Sequence, residues 1–285
     1  MKFNQRVLPV IVSLLSLSLL ILIPGYTTGV HADVSDNIEE AYHDGILSGK
    51  INPTSYSKSA FQYTYQEGLK IYTQQLQDGT VAGSYLDWLK EANYGAMPDG
   101  SGTNPDTPKI EARSAAGNVN RFVRDIRKGD ILIVKSGGFG HAAIATTNNY
   151  ILEMHGGGNI INWAVTGIPN NNRQYATRTW INNHIKNWTE IWRPRQGVGS
   201  SAANYADYKF WSSTHGLKKN RHITYGLGAG PRTTDPNYCS KMVWQSFWFG
   251  TGSKNVATGT PAFITPNALP TYFYKSYAPY KVGSY

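Results

Sequence analysis

The sequence predicts an α+β protein: a helical N-terminal lobe followed by an antiparallel sheet packed against helices. Three observations carry this. From Ser35 to Ala92, apolar residues recur at helical spacing between cap and stop signals. From Lys128 onward the pattern changes to short apolar runs separated by Gly- and Asn-rich turns. No repeat of the length used by solenoids or propellers is visible.

In chain order, residues 1–32 read as an export signal to be removed. Lys2 and Arg6 make a charged start, Val7 to Ile23 is apolar apart from Pro9 and three serines, and Val30-His31-Ala32 places small residues where a signal peptidase reads. The alternative is an uncleaved anchor, and either way the mature chain is expected outside the cytoplasm, secreted or at the cell surface. Ser35 to Lys50 then reads as a helix, with Ser35 or Asp36 as N-cap, Glu39 at the capping-box position and Gly49 as the stop. Tyr56 to Gln77 and Ala82 to Ala92 continue the helical lobe, assigned to 33–115, and the turn-rich Pro98 to Pro108 stands near its end.

The second domain, 116–285, begins its sheet with Asp130 to Val134 and His141 to Ala145, across the flexible Lys135 to Gly140. Tyr150 to His155 follows after the Asn148-Asn149 turn. Ile160 to Val165 and Thr189 to Arg193 are expected as further strands. Helices are expected at Arg173 to Lys186, Ala202 to Ser212 and Cys239 to Phe249. Trp163, Trp192, Trp244 and Trp248 read as core, and the tail tyrosines from Tyr272 to Tyr280 as anchors of the C-terminal segment.

Composition excludes several classes. The hydrophobic fraction is 40% and the charged fraction 16%, which argues against disorder. The single cysteine excludes a disulfide framework, a four-thiolate zinc site and an iron–sulfur cluster. Without the leader the net charge is +7 and unclustered, which gives no sign of nucleic-acid binding. In an exported protein it suits contact with anionic wall polymers or a membrane surface. Gly226 to Gly230 and Gly250 to Lys254 lack the spacing of nucleotide loops, so no cofactor is expected.

Cys239 stands at the start of a helix, where unpaired amides favour a thiolate and can hold an oxyanion. It could equally be a small buried hydrophobe. No histidine follows it, so an imidazole partner must come from upstream. His141, opening a strand after a Gly-rich loop, is the best candidate. Glu153, twelve residues on, is expected roughly opposite it across the hairpin and able to orient the ring. His155 shares that strand and face and competes for the third role. A zinc site on His141, Glu153 and His155 lacks the helical His-Glu-x-x-His spacing and is not expected.

Gly129-Asp-Ile-Leu, Gly140-His-Ala-Ala-Ile, Ile151-Leu-Glu and the distant Tyr238-Cys-Ser together resemble the permuted papain-like cysteine amidases of the YaeF/YiiX type. These belong to the NlpC superfamily, alongside lecithin–retinol acyltransferase-like proteins. The resemblance runs from about Arg127 to the C-terminus and includes Ile264-Thr-Pro-Asn267. It implies a circularly permuted papain-like fold, with Cys239 as nucleophile, His141 as base and Glu153 as third member. Tyr225 would be a substrate-binding residue near the site, although the family more often has Asp where this chain has Gly226. The implied activity is amide hydrolysis through a thioester on peptidoglycan stem peptides or other peptide or lipid-linked amides. The alternatives are a lipid acyltransferase or (thio)esterase with the same triad, and a cell-wall-binding module without catalysis.

Overall fold

The fold is that of a computed structural model, which describes residues 29–103, 112–157, 167–228, 230–252, 254–259 and 261–285. The chain divides into Met1–Asn37 and Ile38–Tyr285. Most of the expected export signal, the expected strand Ile160 to Val165, Trp163 and the later part of the Pro98 loop lie outside the described residues. No helix among the described residues is long and apolar enough to cross a membrane.

Seven helices and six strands are formed among the described residues. The first helix, α1 (Gly29–Leu47), begins well before the expected Ser35 or Asp36 cap, so those residues lie inside it. Its end agrees with expectation. Gly49 takes φ 70°, a conformation costly for other residues, and Lys50 N returns to Gly45 O at 2.9 Å. In the larger unit, Ile38, Ala41, Tyr42 and Gly45 form the buried stripe. α2 (Lys58–Gln77) starts where the Ser57 hydroxyl accepts from Ala60 N. It buries Phe61, Thr64, Tyr65, Gly68 and Ile71 along one side. α3 (Tyr85–Glu91) is capped by Ser84 in the same way, which moves its start from the expected Ala82.

α4 (Ala112–Asp125) leads into β1 (Ile131–Val134), β2 (His141–Ala145) and β3 (Tyr150–Met154). Then come β4 (Asn172–Ala176), α5 (Thr177–Asn183), β5 (Thr189–Arg193), α6 (Gly199–Phe210), α7 (Cys239–Gly250) and β6 (Tyr280–Ser284). The expected helix from Arg173 is therefore corrected: its first residues pair with β3, and the helix begins only at Thr177. The sheet order is β4-β3-β2-β1-β5-β6, antiparallel at every pairing.

One face of the sheet, with Leu132, Val134, Ala143, Ala145 and Ile151, packs against Val119, Phe122, Ile126, Trp180 and Ile181 from the α4 and α5 regions. α7 packs along β2, β3 and α6, with Met242, Val243, Trp244 and Phe247 fully buried. Each such side chain contributes roughly 1.5–3 kcal/mol by leaving water, so the helix bearing Cys239 is fixed by its own apolar mass.

The segment after α7 ties the parts together. Ser240 Oγ donates to Ile264 O at 2.5 Å, and Tyr238 OH accepts from Ile264 N at 3.0 Å. Thr265 Oγ1 donates to Ala92 O, while Asn267 Nδ2 reaches Gly95 O at 2.9 Å and Thr103 Oγ1 at 3.1 Å. The N-terminal helices, the Gly-rich loop before β2 and the start of α7 thus share one strap.

Candidate active site

His141 is the first residue of β2, and the turn that delivers it requires glycine. Gly140 has φ 83°, and a Cβ there would lie 2.4 Å from Asn267 Oδ1. Gly138 lies so close to α2 that a Cβ would stand 2.8 Å from Thr64 Cα. Loop, strap and helix therefore fix where the imidazole begins.

The expected placement of Glu153 opposite His141 is corrected in register. Glu153 pairs with Ala143, two positions further along β2. A shift of two preserves the face, because side chains alternate with a period of two, and so the contact survives diagonally. His141 Nε2 lies 2.9 Å from Glu153 Oε2. With Nε2 so engaged, Nδ1 is the ring nitrogen left for the sulfur.

Cys239 is the first residue of α7 and is buried. Its thiol is hydrogen-bonded with the His141 side chain and receives the Ala142 amide, with Ser240 Oγ at 3.9 Å. Burial works against the thiolate. The imidazole, the amide and the hydroxyl outweigh it and hold the Cys239 thiol below its ordinary value. For His141, burial favours the neutral ring, but its bonds to Cys239 and Glu153 raise it to about 10. The first turn of α7 adds amides without a carbonyl partner four residues back.

Glu153 is 1% exposed and is the hub of the cluster. Oε2 accepts the Trp180 indole N–H at 2.6 Å besides facing His141, and Oε1 lies 3.1 Å from His155 Nδ1. His184 Nε2 stands 3.5 Å from Oε2, and its ring stacks on His141 with centroids 5.6 Å apart. Burial would push the Glu153 carboxyl up, yet the three imidazoles hold it far below the usual carboxylate range. His155, expected as a competitor for the third role, touches the same carboxylate from the rim and is 55% exposed in its side chain.

Tyr225 also reaches the site. It pairs through its backbone with Ile168 and Asn237, which places its hydroxyl against Cys239. Burial first, then the neighbouring sulfur, raise that hydroxyl well above its ordinary range, so it remains a phenol. Cys239, His141, Glu153 and Tyr225 are thus brought together, with His155 at the rim. Sequence reasoning missed Trp180, His184 and the Ala142 amide. Trp180 sits within a segment expected to be helical, but no local signal in the sequence points either side chain at Glu153.

A metal ion could be held by His141, Glu153 and His184, whose ligand atoms lie within 4.8 Å of one another. The third member is His184, where the sequence had pointed to His155. Glu153 Oε2, however, already serves His141 and the Trp180 indole, on lone pairs that a metal would need.

The sulfur opens on a cleft of about 360 Å³. Ile71, Phe139, Leu227, Tyr238, Phe263 and Pro266 supply apolar lining, and Glu67 and Ser136 stand in its wall. An imidazole-activated thiolate, amides for an oxyanion and a partly apolar groove together suit attack on the carbonyl of an acyl group.

Residues 107–285 match the family described as "Lipoprotein N-acylation protein LnsA-like". Over 261 residues the chain is 31% identical to an "Uncharacterized 30.3 kDa protein" of Bacillus thuringiensis, covering 87% of this chain and 88% of that relative. No solved structure matches the chain.

Proposed function

The chain belongs to the LnsA-like lipoprotein N-acylation family, an enzymatic group related to YaeF/YiiX-type papain-like folds, and from that premise we propose that it transfers an acyl group through a thioester on Cys239. The observation that carries this is the Cys239–His141 hydrogen bond, with Cys239 lining a cleft of mixed polar and apolar character. The family description names N-acylation. Acyl transfer, the alternative in the sequence reading, therefore takes precedence over cleavage of peptidoglycan stem peptides.

The Cys239 thiolate attacks a lipid ester carbonyl, forming the sulfur–carbon bond, and the first-turn amides of α7 hold the oxyanion. Tyr225 donates its phenolic proton in a hydrogen bond from the other side. As the carbon–oxygen bond breaks, His141 gives its proton to the departing alkoxide. A neutral amine then attacks the thioester; the carbon–nitrogen bond forms, the amine's proton passes to His141 and the thiolate leaves. Glu153 keeps the ring oriented and stabilises its charged form through both halves. The order of base before nucleophile suits a permuted papain-like arrangement of the YaeF/YiiX kind. An exported protein working at the membrane or wall surface would meet such substrates.

The test is to incubate the protein with phospholipid vesicles and, separately, with muropeptides, then quench and map adducts by mass spectrometry. A fatty-acyl mass on the Cys239 peptide, absent in Cys239→Ala, is the expected result. Muropeptide cleavage without any lipid-derived adduct would instead establish amide hydrolysis.

A further inference from the structure

Part of the lining of the cleft comes from α2, outside the residues matched to the family. This helix contributes Ile71 and one carboxylate, Glu67. Apart from Cys239 itself, Glu67 is the sole ionisable acid or base among the described residues of that lining, tyrosine hydroxyls aside.

The carboxylate is held in place. Glu67 Oε2 accepts from Gly138 N at 3.0 Å, and Oε1 accepts from Tyr63 OH at 3.1 Å. Gly138 is pinned in turn, since Thr64 Oγ1 donates to its carbonyl at 3.2 Å. A carboxylate can accept roughly four hydrogen bonds, so two directions remain open on a group whose position is fixed from behind. One anchored negative charge in a groove of otherwise uncharged side chains is complementary to a single cationic donor group at the head of an apolar chain.

We propose that Glu67 is a binding site for a primary ammonium group, which it positions at the mouth of the Cys239 cleft. The inference rests on the acyl-transfer reading and names the chemistry that its substrate carries. That group has two possible sources: the headgroup of an ethanolamine-type acyl donor, or the amine that accepts the acyl group. In the second case the amine gives one ammonium proton to the Glu67 carboxylate before its neutral form attacks the thioester and passes its next proton to His141.

Binding is tested first, without turnover. Calorimetry on the full chain carrying Cys239→Ala compares octylamine with octanol at neutral pH. Octylammonium is expected to bind about tenfold tighter, the worth of one charge-assisted hydrogen bond. Adding Glu67→Gln, which retains an acceptor for Gly138 N, should bring the two probes level. An unchanged ratio in the double variant, or no preference in the first, overturns the proposal.

Two arms on protein with Cys239 intact then identify the source. If the headgroup is the ligand, Glu67→Gln abolishes a preference for phosphatidylethanolamine over phosphatidylglycerol vesicles in forming the acyl-enzyme. If the acceptor is the ligand, the variant slows discharge of preformed acyl-enzyme by an amine-bearing peptide relative to hydroxylamine. Where the parent protein does form acyl-enzyme, a variant that does neither also overturns the proposal. Should Cys239 take up no acyl group while the Glu67-dependent ammonium preference stands, the acyl-transfer reading fails and the ammonium site survives.

Discussion

Trp180 and Glu153 form the shortest contact of the charged cluster among the described residues: the indole N–H donates to Oε2 at 2.6 Å, on the same oxygen that faces His141 Nε2 at 2.9 Å. The strand that carries the carboxylate and the helix that covers it are thereby joined at the point where the base is oriented.

Trp180→Phe retains most of the buried aromatic volume and deletes that donor. The expected cost is about 1–2 kcal/mol of stability, at the low end for a buried charged acceptor because three imidazoles remain around Glu153. The turnover number should fall roughly tenfold through a less well-held His141. Urea unfolding and single-turnover acylation check the two effects; full activity at reduced stability would show that Trp180 only packs.

The Cys239–His141 pair titrates as a unit. The thiol lies below its ordinary value and the imidazole is raised to about 10, so the ion pair fills the pH range between them. Alkylation by iodoacetamide should therefore remain fast below the pH at which ordinary thiols become sluggish. In His141→Ala burial is opposed only by the Ala142 amide and the Ser240 hydroxyl, and the reactivity midpoint should move upward toward that of an ordinary thiol. A pH-rate profile unchanged by the substitution would contradict the pairing.

Glu153→Gln removes a buried charge from contact with three imidazoles and should cost about 3–5 kcal/mol near neutrality. The pH dependence follows from linkage. A carboxyl whose folded pKa is depressed contributes stability above its unfolded value and loses that contribution as pH falls toward the folded one. The stability gap between parent and variant is thus expected to be wide at pH 7 and narrower at pH 3. Denaturant melts at both values decide it, and a constant gap would count against an ionised Glu153.

Gly140→Ala places a Cβ 2.4 Å from Asn267 Oδ1 on a residue at φ 83°. Strain of about 1–3 kcal/mol is expected, together with loss of acylation, because the strap and the start of β2 must separate. Thermal melts and adduct formation measure both.

The sheet centre was legible because β1, β2, β3 and β5 are short apolar runs of the right length between turn signals. The nucleophile helix was legible from its apolar face and the glycine at its end. The edge strands were not. β4 reads Asn-Arg-Gln-Tyr-Ala and β6 reads Tyr-Lys-Val-Gly-Ser, and so little apolar alternation cannot declare a strand before its partner is known. The signal for α4 was present but passed over: Val119 and Phe122, followed by Ile126 just beyond its end, fall at helical spacing between polar residues. At the site, Cys239, His141 and Glu153 could be chosen by residue type and order. The two-residue shift in register left their shared face intact. His184 could not be found, since it faces Glu153 only after α5 has folded over the sheet.

The strap from Phe263 to Asn267 gives the cysteine a history as well as a place. The strands that present His141 are synthesised before Cys239 exists, and the segment that accepts from Ser240 and clamps the Gly-rich loop follows later still. A nascent chain therefore carries a thiol of ordinary acidity, slow toward oxidants and electrophiles. The contacts with His141, the Ala142 amide and the Ser240 hydroxyl that lower this thiol exist only once α7 has docked on β2, so the acidity of the chain's one cysteine is a product of its folding.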